Sequence, residues 1–195
     1  MTVLAVVLSG CSGGGDDGND GGEAQGGREQ PTNPGSSASE PPLLETTATI
    51  GNVEGRFATD RRSRVKTAVT EVVDAWLDAA YVTGDFPRTD FDDAFPGFSS
   101  GARDDARSDA GLMSNQAIGD RVESVQATKR RLRIDVLATG KKAVGVTARF
   151  VLLMDLELDS GSDAERSERV AGSLFMTWRQ GGWQVFGYDV KRGLA

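Results

Sequence analysis

The stretch Val144–Leu158, VGVTARFVLLMDLEL, decides how the chain folds. Val144, Val146, Ala148, Phe150, Leu152, Met154, Leu156 and Leu158 share one parity, and Thr147, Arg149, Asp155 and Glu157 fall between them. Successive side chains of an extended strand point to opposite faces, so this alternation predicts one long strand with a single buried face.

Working outward, Leu132, Ile134 and Val136 alternate with Arg131, Arg133 and Asp135 and predict a strand before it. The adjoining Lys129-Arg130-Arg131, with Arg133, reads as a solvated strand edge rather than a phosphate-binding patch, since basic side chains protect sheet edges. Downstream, residues 159–169 read as a polar loop, and residues 170–191 as two strands joined at Gly181-Gly182. A type I′ turn needs positive φ at both central residues, which two glycines supply. That register sets Gln180 opposite Trp183, Trp178 opposite Val185 and Phe175 opposite Tyr188. One hairpin face then carries Leu174, Met176, Trp178, Trp183 and Val185; the other carries Phe175, Phe186, Tyr188 and Val190. A sheet with helices on one side needs only one apolar face, so the second is expected to meet another subunit, a tether or a ligand.

Upstream the period becomes helical. Val65, Ala68, Val69, Val72, Val73, Trp76, Ala80 and Tyr81 predict an amphipathic helix over Arg61–Val82, N-capped by Asp60 and ending at Gly84. Residues 85–101, broken by prolines yet rich in Phe, read as a packed connection. Residues 102–114 read as a second, exposed helix laced with ion pairs at helical spacing. Helices followed by a run of antiparallel strands place the domain, residues 56–195, in the α+β class.

The first quarter of the chain has another composition. Residues 12–55 are mostly Gly, Ser, Pro, Thr, Asn and acids, too poor in apolar side chains to offset the entropy of ordering, and read as a disordered tether. From Ser12 to Ile50 there are seven acids and one base, which is −6 of the total −7. The domain is therefore close to neutral, and nucleic acid is not an expected partner. There is no histidine, which removes the commonest general base and metal ligand. Asp16, Asp17 and Asp20 sit in a Gly-rich segment that imposes no coordination geometry, so neither a metal nor a cofactor is expected. Arg outnumbers Lys seventeen to five, a bias typical of GC-rich genomes such as those of actinobacteria.

A short apolar run, Val3–Leu8, leads into Leu8-Ser9-Gly10-Cys11 and a polar Ser-Gly-Gly-Gly. This resembles the lipobox of bacterial lipoproteins. The resemblance implies that residues 1–11 are a lipoprotein signal remnant, that Cys11 is the lipidated residue, and that the protein works outside the cell, tied to the membrane. No basic residue precedes the apolar run, which points to a longer natural amino terminus.

Ala75-Trp76-Leu77-Asp78-Ala79-Ala80, Phe91-Asp92-Asp93-Ala94-Phe95-Pro96-Gly97-Phe98 and Gly181-Gly182-Trp183-Gln184-Val185, in this order of helices and strands, resemble NTF2-like proteins of the actinobacterial envelope, Mce-associated proteins among them. The resemblance spans roughly Thr59 to Arg192. It implies a cone of helices wrapped by a curved antiparallel sheet, and accessory roles in lipid transport. Trp76, Tyr81, Phe150 and Trp178 are placed either to line such a cone as a cavity or to fill it as plain core. The favoured function is non-catalytic binding of an apolar small molecule or an envelope protein, with Phe175, Phe186 and Tyr188 as a candidate interface for a partner or a homodimer. The alternative is an isomerase- or dehydratase-like enzyme, which needs an ionisable group among apolar walls; Asp189 is its one candidate, because its parity matches Trp178.

Overall fold

A computed structural model describes residues 44–159 and 164–195, which belong to one compact unit, Pro41–Ala195. Cys11, residues 1–11 and most of the expected tether lie outside the described residues. Among the described residues, no helix is long and apolar enough to cross a membrane.

The fold is α+β. One sheet of five strands runs β1 (Thr47–Glu54), β2 (Val122–Thr139), β3 (Lys142–Leu158), β4 (Glu165–Arg179) and β5 (Gly182–Leu194), in that spatial order. β2 to β5 form antiparallel pairs, and β1 adds to β2 in parallel, with Thr47 beside Arg131 and Ile50 beside Ile134. Residues 47–54 were expected to belong to the tether. They are a strand instead, because Ala48, Ile50 and Val53 pack against the core from a single face and β2 supplies the hydrogen bonds.

The long strand forms as its alternation predicts: Val146 through Leu158 are buried at every second position. Val144 breaks the pattern, since the ladder slips between Leu137 and Ala138 and leaves it largely exposed. The edge reading of the basic run also fails. β2 lies between β1 and β3, and Arg130 shares the inward parity of Leu132 and Ile134.

Helix α1 (Thr59–Leu77) covers the inner face with Val69, Val73, Trp76 and Leu77, and continues into a π-helical turn over Asp78–Val82. Its N-cap is Ala58, without a side-chain hydrogen bond. Asp60 instead sits in the first turn, where a negative charge suits the helix dipole. The second helical region divides into α2 (Ser100–Ser108), capped by Ser99 Oγ accepting from Ala102 N, and the short α3 (Ala110–Met113). Of the ion pairs expected there, Arg107–Asp104 forms at 3.9 Å.

The closing hairpin turns one residue earlier than its glycine pair suggests. Gln180 and Gly181 take positive φ, +51° and +84°, and Arg179 pairs with Gly182. Trp178 therefore opposes Trp183, Met176 opposes Val185 and Leu174 opposes Tyr188. A bulge sets in at Phe186, where Met176 pairs with Val185 but Phe175 pairs with Gly187. One extra residue in a strand reverses the parity of everything beyond it. Hence Tyr188, Val190 and Arg192 turn toward the helices and Asp189 turns away, the reverse of the expected faces. Gly172 permits the close approach of β4 to β5 here: a Cβ on it would lie 2.1 Å from the Asp189 carbonyl oxygen.

Candidate functional site

Three of the four aromatics expected to line or fill a cavity fill it. Trp76 is fully buried, with ring centroids 5.7 Å from Tyr81, 5.8 Å from Phe98 and 5.1 Å from Phe150. Their polar tips are satisfied by the chain itself. Trp76 Nε1 donates to the Met113 carbonyl at 3.3 Å, and the Tyr81 hydroxyl to the Leu112 carbonyl at 2.6 Å. Burial holds the Tyr81 hydroxyl well above its usual titration range, so it stays a neutral donor. Trp178 does not join them. It overhangs the end of the sheet, half exposed, edge-on to the buried Trp183 at 5.6 Å.

Two buried polar clusters, unforeseen in the sequence, fasten the helices to the sheet. Glu168 accepts from Arg166 and Arg192, both at 2.6 Å, while Arg192 also donates to the Ser114 carbonyl at 2.7 Å and to Asn115 Oδ1 at 2.8 Å. Asn115 in turn donates to the Tyr81 carbonyl at 2.7 Å, which ties the π-helical turn, α3 and the β4–β5 pair into one network. On the other side, Arg130 is ion-paired with Asp78, and the Thr46 hydroxyl donates to Asp74 at 2.5 Å. Desolvation raises the Asp74 pKa above the ordinary carboxylate value, against the opposing pull of Thr46 and Arg130. The parity of Arg130 carried the signal for the second cluster; the first draws on residues too scattered to be read together.

The outward face of the hairpin is different. Phe175 and Phe186 are 36 % and 57 % exposed, with ring centroids 6.5 Å apart. Leu137, 53 % exposed on the same face, lies over Gly145, whose absent side chain leaves it room. Beside Phe186 an open groove of about 750 Å³ runs between the hairpin and the start of α2. Arg103, Arg179, Ser99 and Gln184 give it a polar rim and Phe98 an apolar wall. The segment Gly97–Ser99 positions that wall by hydrogen bonding to both backbone groups of Val185 on the edge of β5.

Phe175 and Phe186 are thus brought together as expected, but Tyr188 is not with them. Its hydroxyl donates to Asp109 at 2.8 Å, on the helical side, and desolvation first, then Asp109, raises its pKa. Asp189 is exposed on the outer face, far in character from the apolar walls that an acid–base role requires. The bulge at Phe186, invisible to parity, accounts for both departures.

Compared with known proteins, the chain matches no family model, and no curated protein is significantly similar to it in sequence.

Proposed function

We propose that this chain is an extracytoplasmic lipoprotein, anchored through Cys11, whose NTF2-like domain is non-catalytic and docks an envelope protein on the outer face of its terminal hairpin. The observation that carries this reading is the exposed Phe175–Phe186 pair above an interior filled by its own aromatics. Exposed clustered aromatics cost solubility and commonly mark interaction sites. With Trp76, Tyr81 and Phe150 packed against one another, an internal ligand site has less support than a surface one. The groove beside Phe186, with Arg103 and Arg179 on its rim, suits a partner segment that presents an apolar side chain next to a carboxylate.

A photoreactive phenylalanine at position 186 of the full-length chain, irradiated in intact cells, is expected to give one discrete adduct in the membrane fraction, and Phe175→Ser is expected to abolish it. Absence of an adduct, or one that persists in Phe175→Ser, contradicts docking at this face. The anchor is tested separately: radiolabelled palmitate is expected to enter the native chain and not Cys11→Ser.

A further inference from the structure

The basic side chains of β2, singled out in the sequence, belong to a larger feature. On the outer face, Arg131 pairs in register with Val151, Val151 with Ala171 and Ala171 with Lys191; in the next row Lys129 pairs with Leu153 and Leu153 with Arg169. Lys129, Arg131, Arg169 and Lys191 thus rim a small apolar floor, and none of them makes an ion pair among the described residues. Beside them Arg133 and Arg149 share the single carboxylate of Asp135, while Asp155 and Asp189 border the band. Within the band six cations stand beside three side-chain carboxylates, with Glu157 and Glu165 farther along the same face and Ala195 lining the trough beside Lys129, Arg131 and Arg169. Two adjoining troughs, about 420 and 390 Å³, meet at Arg131 and Val151 and carry the band across the sheet.

The charge is segregated as well as concentrated. The segment 85–120, which contains α2 and α3, holds eight acids and three bases. A domain with a positive sheet face and a negative helical segment orients in the field of an extended anionic surface, sheet side inward. A broad, shallow band of spaced cations fits an array of phosphates better than one small ligand, which would need a concave pocket.

We infer that this band is a membrane-docking face, which seats the domain on anionic phospholipid headgroups. The inference rests on the membrane-tethered reading above; the band adjoins the Phe175–Phe186 patch on the same face, Arg149 lying two residues from the Thr147 that pairs with Phe175, so an envelope protein bound at the patch meets the domain at the membrane surface. The acyl anchor supplies attachment, and the band sets which side faces the bilayer.

Full-length Cys11→Ser chain, which carries no acyl anchor, is sedimented with vesicles of equal parts phosphatidylglycerol and phosphatidylcholine, or of phosphatidylcholine alone. Binding is expected only to the anionic vesicles and is lost in about 0.5 M NaCl, where the Debye length is shorter than the spacing of the cations. Arg131→Ala/Arg169→Ala is expected to weaken it about 30-fold, at roughly one basic side chain's contribution each. Arg64→Ala/Arg107→Ala, on the exposed surfaces of α1 and α2, leaves it unchanged. Both pairs are solvent-facing, and an unaltered urea midpoint verifies that the fold is kept. No binding, equal binding to both vesicles, or full binding by Arg131→Ala/Arg169→Ala overturns the proposal. So does binding of polyglutamate, but not of vesicles, through the same arginines, which makes the band a site for an acidic protein. Failure of palmitate labelling removes the anchor without touching this result.

Discussion

The protein holds two sets of aromatics in opposite circumstances. Trp76, Tyr81, Phe98 and Phe150 meet edge-to-face or tilted inside the domain, with Trp76 and Tyr81 hydrogen-bonded to the α3 backbone. Phe175 and Phe186 lie on the far side of the same sheet, with ring centroids 6.5 Å apart and both partly open to solvent. The first set gains its free energy on folding, from transfer out of water and from packing. The second still has part of that transfer ahead of it, about a third for Phe175 and over half for Phe186, and a partner can collect it. Stability and recognition are therefore divided between the faces of one sheet.

Mutations break or sharpen that contrast. Trp76→Ala removes the ring on which three others converge, and is expected to destabilise by about 3–5 kcal/mol in urea denaturation. Glu168→Ala leaves Arg192 and Arg166 buried without their shared carboxylate and is expected to cost about 3 kcal/mol. The same substitution tests whether the polar network belongs with the stabilising half of the molecule.

Asp74 gives a pH-dependent case. Its pKa is raised in the folded protein, chiefly by desolvation, so the native state binds more protons than the unfolded one just above the ordinary carboxylate range. Its contribution favours folding below that range and is lost as pH rises through the folded pKa. Asp74→Asn is expected to be more stable than the native protein at pH near 7, with the advantage shrinking on acidification; urea midpoints across pH measure it. The smallest effect is expected at the turn. Gln180 occupies a left-handed conformation that Asn adopts more readily, so Gln180→Asn should raise stability by roughly 0.5 kcal/mol.

Much of this was legible in the sequence where one period ran undisturbed. The alternation from Val146 to Leu158 gave a strand, and the spacing from Val65 to Tyr81 gave a helix. Legibility failed where a single residue changed the phase. The bulge at Phe186 reversed Tyr188 and Asp189, and the turn at Gln180–Gly181 shifted every pair of the hairpin. β1 is hidden because its composition is that of the tether, and only its pairing with β2 makes Ala48, Ile50 and Val53 a partly buried face. Arg130 was misread by residue type although its parity with Leu132 pointed inward. Of the candidate site, Phe175 and Phe186 were found by parity on the near side of the bulge; the groove, built with Gly97–Ser99, depends on a tertiary contact that no local pattern announces.

The division between the two sets of aromatics is tested most directly by the urea-unfolding free energy of Phe175→Ser/Phe186→Ser. Phe175 and Phe186 are partly buried on the outer face, so the double variant is expected to lose no more than about 2 kcal/mol, less than Trp76→Ala alone. A loss of several kcal/mol, comparable to that of Trp76→Ala, contradicts the account and makes the outer aromatics part of the fold.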